Sequence, residues 1–143
     1  MAVFLFPVLT IFAVLFFTQI ILLFISRIGG WNTIASVFPG KPFLSGKTWS
    51  FQSFRINSWC GYNNIVTITG NAEGLQLSMP TFFQAGHEPI FIPWADMTIL
   101  QESSFFGLME VVRIEFKKCP SHVLLIPKRR FEEIRNACRE ISI

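Results

Sequence analysis

Residues 4–25, FLFPVLTIFAVLFFTQIILLFI, are almost continuously apolar, and no charged side chain occurs before Arg27. As a helix rising about 1.5 Å per residue, these 22 residues would reach about 33 Å, enough to cross a hydrocarbon layer of about 30 Å. The pattern predicts a transmembrane anchor over residues 1–28. Pro7 falls near its start, where a missing N–H matters least. Thr10, Thr18 and Gln19 are mild enough to be tolerated or to face a neighbouring helix. A cleaved signal peptide would need a basic start, a shorter apolar run and a small-residue cleavage site, and Ser26-Arg27-Ile28 does not supply the last.

Residues 29–46 form a second pattern. Gly29-Gly30 breaks the first helix and Pro39-Gly40 ends the next segment. Between them Trp31, Ile34, Ala35 and Phe38 recur at i, i+3, i+4 and i+7, one face of a short helix. This stripe suits two placements: in the headgroup layer with Trp31 at the interface, or packed on the domain that follows.

From Lys47 the period drops to two and turn residues punctuate the chain, which predicts a β domain of seven strands over residues 47–143. The first covers 48–57, with Trp49 and Phe51 on one face and a bulge at Gln52-Ser53 before Phe54 and Ile56. The second, 62–69, follows a turn at Gly61. In the third, Leu75, Leu77 and Met79 alternate with polar neighbours. The others are 90–94, 96–103, 108–116 and 123–126. In 108–116, Val112, Ile114 and Phe116 oppose Arg113, Glu115 and Lys117. Pro93 cannot donate a ladder hydrogen bond, so PWAD reads as a corner, with Trp94 as pivot and Asp96 accepting from backbone N–H groups. The alternative is that Trp94 and Asp96 line a binding site. After Pro127, Phe131, Ile134, Cys138 and Ile141 form the apolar stripe of an amphipathic helix, which must be buried to be stable.

The run GLQLSM, then IFIPWADMTIL, a hairpin and LLIPKRRFEEI resembles the small bacterial pleckstrin-homology-like (PH-like) and GRAM-like domains. The resemblance implies a mainly β PH-like domain, a seven-stranded bent sheet or barrel capped by a C-terminal α-helix and preceded here by a single transmembrane helix. That superfold hosts lipid binders, peptide binders and scaffolds. Inositide-binding members usually carry a basic pattern in the first hairpin, whereas Lys47 and Arg55 are isolated here.

Composition narrows the function classes. Charged residues are 15% of the chain and the net charge is +3, with no basic block longer than Lys128-Arg129-Arg130, so nucleic acid is not expected as a partner. The four cations Arg27, Lys41, Lys47 and Arg55 precede the first acid, Glu73, which by the positive-inside rule places the N-terminus outside and the C-terminal domain in the cytoplasm. Cys60, Cys119 and Cys138, odd in number and scattered, read as free thiols of a reducing compartment; one disulfide plus one free thiol is the alternative.

Catalytic constellations are not expected. His87 sits in a Gly/Pro-bounded loop and reads as a solvated turn, while Cys119 and His122 offer two of the roughly four ligands of a structural zinc site. No Gly-x-Ser-x-Gly elbow occurs, SGKT lacks the earlier glycine of a phosphate loop, and Asp96 is the only aspartate. No cofactor or metal is expected. The candidate lipid or partner contacts are Arg27, Trp31, the loop aromatics Phe82, Phe83, Phe105 and Phe106, and Lys128, Arg129 and Arg130. That basic trio opposes the dipole at a helix start, although Glu132 and Glu133 offset it, so it reads as a solvated face or as a site for an anionic partner. The expected protein is a noncatalytic accessory subunit, bound to the lipid bilayer and mediating protein–protein interaction with other membrane-protein subunits. The alternative is a membrane-surface module for anionic lipids.

Overall fold

The computed structural model describes residues 2–41, 45–57, 60–104 and 109–140. Phe105, Phe106, Leu108 and Ile141 lie outside them. The chain opens with α1 (Ala2–Gly29), which among the described residues is the one helix long and apolar enough to span a membrane. It stops at Gly29 because Gly30 turns the chain at φ 98°, a conformation that side chains with a Cβ rarely adopt. A short α2 (Trp31–Val37) follows at once.

Next come β1 (Lys47–Ile56), β2 (Cys60–Gly70), β3 (Gly74–Ser78), β4 (Ile90–Pro93), β5 (Met97–Ser104), β6 (Met109–Phe116), β7 (Val123–Pro127) and α3 (Lys128–Glu140). All seven strands join one antiparallel sheet in the order β4-β3-β2-β1-β7-β6-β5, nearly barrel-shaped. The seam between β1 and β7 is short, pairing Arg55 with Leu125 and Ile56 with Leu124. Asn57 extends it: its N–H donates to the Val123 carbonyl and its Oδ1 accepts from the Val123 N–H, both at 2.9 Å.

The expected bulge is present, with register shifts on both sides of Gln52. Its consequence differs from the expectation. Phe51 takes φ 57° and is 74% exposed, so it does not share a face with the half-buried Trp49, while Gln52 turns inward. An extra residue on one strand flips the alternation, which a strict two-residue period cannot show. Gly61 belongs to β2 itself, where it pairs with Arg55 of β1, rather than to a turn.

The corner at PWAD is also present, as a 3-10 turn over Trp94–Asp96 between β4 and β5. Trp94 Nε1 donates to the Asn71 carbonyl at 2.9 Å, and its ring meets Phe131 of α3 edge-on at 6.2 Å. Asp96 behaves differently from the expectation: its carboxylate lies 3.6 Å from Lys118 Nζ, and its backbone carbonyl accepts from Lys117 N–H. The α3 stripe of Phe131, Ile134 and Cys138 is buried over this end of the sheet.

Of the two placements for the α2 stripe, the structure shows the packed one. Trp31 and Ile34 are essentially unexposed in the core, and Trp31 stacks on Phe54 at 5.9 Å and meets Tyr62 at 5.3 Å. Phe38 tilts against Phe116 at 5.7 Å. The apolar face of α2 and Phe38 are therefore part of the β domain's interior.

Candidate functional site

The last three turns of α1 do not stand clear of the domain. Gln19, Leu22, Ser26 and Gly29 fall on one face, at spacings of three or four, and this face meets the loop between β3 and β4 and the start of β2. Leu22 and Ser26 are buried while Ile21, Leu23 and Phe24 are exposed. Gln19 Nε2 donates to the Phe82 carbonyl at 3.0 Å, and Ser26 Oγ donates to the Gly86 carbonyl. Gly86 has φ 69° and lies against Leu23 and Ser26, so the approach requires a residue that lacks a Cβ. Small and weakly polar residues at a helix contact are what close packing in an apolar medium calls for.

The loop also carries bonds of its own. Gln84 Nε2 donates to the Met79 carbonyl at 3.2 Å, Phe83 N–H to Pro80 at 2.8 Å, and His87 N–H to Gln84 at 2.8 Å. His87 is fully buried, which corrects the expectation of a solvated turn. Its ring lies 2.8 Å (Nδ1) from the Ala85 carbonyl and 2.9 Å (Nε2) from Tyr62 Oη. A carbonyl only accepts, so Nδ1–H is the donor and Nε2 accepts a hydrogen bond from the Tyr62 hydroxyl. Burial pushes the His87 pKa down, opposed by the bond to Ala85, and burial raises that of Tyr62. The Trp31 indole packs edge-on to His87 at 5.1 Å and donates to the Glu88 carbonyl at 2.8 Å. These are the bonds of a positioned scaffold: both ring nitrogens of the histidine are engaged within the core.

Phe82 projects from this loop with 65% of its surface exposed, while Phe83 is half-buried against the core. Trp31 is unexposed and thus no surface contact. Arg27 is exposed in the last turn of α1.

The basic trio lies elsewhere. His122, just before β7, is close against Gly30 just past the end of α1, and Lys128 follows β7, so the intervening strand separates them by about 20 Å. Lys128 pairs with Glu110 at 3.3 Å and Arg130 with Glu133 at 2.7 Å, and Arg129 is exposed. Arg129, Arg130 and Glu133 border an open cleft of about 470 Å³ with Phe51, Ser53, Asn64 and Pro127. Its other wall is the part of β1 that has no β7 partner. Lys41, another of the early cations, pairs with Glu73 at 2.9 Å.

Cys60, Cys119 and Cys138 are buried free thiols, and burial pushes the pKa of Cys60 and Cys138 up. Cys119 Sγ is 3.9 Å from His122 Nδ1, which Ser121 Oγ also contacts at 2.8 Å, and no cluster of three metal-binding side chains occurs among the described residues. Sequence reasoning missed the His87–Tyr62 pair and the docking role of Gln19. A signal for the second was present: a primary amide inside an apolar run needs a partner.

No family model matches the chain, and neither a curated protein nor a solved structure matches it.

Proposed function

We propose that this chain is a single-pass membrane protein whose cytoplasmic, PH-like β domain acts as a noncatalytic binding or accessory subunit of a membrane complex. The observation that carries this reading is the docking of α1. A domain joined to its anchor by a flexible linker samples every attitude, whereas one held against the helix by bonds from Gln19 and Ser26 and by packing at Leu22 and Gly29 presents fixed faces. Fixed presentation suits assembly with neighbouring membrane proteins, because partner surfaces are then pre-oriented. The near-barrel of seven strands with one end covered by α3 supports the PH-like assignment, and the four early cations support the cytoplasmic side.

The cleft beside Arg129 and Arg130 is the surface proposed for the partner. It lies a strand's length from the end of α1, and two of its three neighbouring cations are paired with glutamates of the same chain, which favours a protein contact over a headgroup. The test is purification of the C-terminally tagged protein from its native membrane in mild detergent, with mass spectrometry of stoichiometric companions. A defined companion, lost on combining Arg129→Glu with Arg130→Glu, is the expected result. A solitary protein that floats with vesicles containing phosphatidylserine, and less so after the same substitutions, would give the lipid-module reading instead.

A further inference from the structure

We infer that the loop carrying Phe82 is immersed in the bilayer beside α1, so that the domain has a second, non-helical contact with lipid acyl chains. The inference rests on the proposed span of α1. A hydrocarbon layer of about 30 Å takes about 20 residues of helix. The windows of that length within the 28-residue α1 run from 2–21 to 10–29, and Gln19 lies inside every one of them. Tilting the helix lengthens the window and keeps Gln19 within it. Gln19 is bonded to the Phe82 carbonyl at 3.0 Å, so the turn over Thr81–Phe83 shares its depth.

The composition and bonding of the loop are independent of that arithmetic and agree with it. Irregular backbone is tolerated at membrane depth only where its polar groups are satisfied within the protein. Here the carbonyls of Met79, Pro80, Phe82, Gln84, Ala85 and Gly86 all accept bonds from the chain itself, four of them from side chains. Two of those four donors, Gln19 and Ser26, belong to α1. No Asp, Glu, Lys or Arg occurs from residue 74 to residue 87. The outermost large side chain is an exposed phenylalanine, which would cost free energy in water and gains it among acyl chains.

The experiment places an environment-sensitive NBD label on single introduced cysteines in the full-length chain, reconstituted in phosphatidylcholine vesicles with or without doxyl-labelled acyl chains. The native cysteines are buried, and the labelled parent protein serves as blank. Phe12→Cys reports the middle of α1, Phe82→Cys and Thr81→Cys report the loop, and Ala95→Cys reports the exposed turn between β4 and β5. Two loop positions guard against a misfolded variant. The expected result is loss of fluorescence to the doxyl lipids at 12, 81 and 82, with a blue-shifted emission, and none at 95. Quenching at 12 without quenching at either loop position overturns the inference and leaves the span standing. No quenching at 12 shows that α1 is not in the bilayer, and both readings fall.

Discussion

His87 carries one proton, on Nδ1, and is buried against Tyr62, Trp31 and the Ala85 carbonyl. Its pKa is depressed in the folded state, so on acidification the unfolded chain takes up a proton before the folded one does. The His87 contribution to stability should therefore be level above about pH 6.5 and decline as the pH falls below it, by at most about 1.4 kcal/mol per pH unit. Thermal melting in detergent over that range checks the slope. Replacing the ring by His87→Gln should flatten it while lowering the melting temperature throughout, since an unpaired buried hydroxyl on Tyr62 costs about 1–3 kcal/mol. Gly30→Ala is expected to destabilise as well, because a Cβ at φ 98° is strained and would overlap the His122 ring. A melting temperature equal to that of the parent would contradict the tight turn between the two helices.

At the scale of elements, α2 is the piece whose role the structure decides. Its stripe could be read from the spacing of Trp31, Ile34, Ala35 and Phe38, but an apolar face looks the same whether lipid or protein covers it. Contact with Phe54, Tyr62 and Phe116, all distant in sequence, settles the matter. Trp31→Ala should cost about 3–5 kcal/mol, read as a lower urea midpoint. A truncated chain beginning at Lys41 should fail to give a cooperative transition, and one beginning at Gly30 should retain it. The long helix, the bulge, the corner at Pro93 and the α3 stripe were legible because each is a local pattern with a local cause. The outward turn of Phe51, the burial of His87 and the bond from Gln19 were not, because each depends on a partner set by the bulge or brought close by the sheet.

For the molecule as a whole, the two proposed kinds of attachment predict different responses to salt. Contacts through the cleft near Arg129 and Arg130 should weaken as ionic strength rises, because exposed charges are screened. The proposed hold on the bilayer, through α1 and the Phe82 loop, should be unaffected by salt or by charge reversal at the trio, as judged by extraction of membranes. The bond between Gln19 and Phe82 joins residues 63 positions apart. If α1 spans a bilayer as proposed, it leaves the ribosome before that loop, and this amide would enter the lipid before the group that caps it has been made. Gln19 would then need to be sheltered by water, by the insertion machinery or by a neighbouring span until the sheet closes. On that reading the proposed anchor would be unfinished at insertion, and the β domain would complete it afterwards from the side.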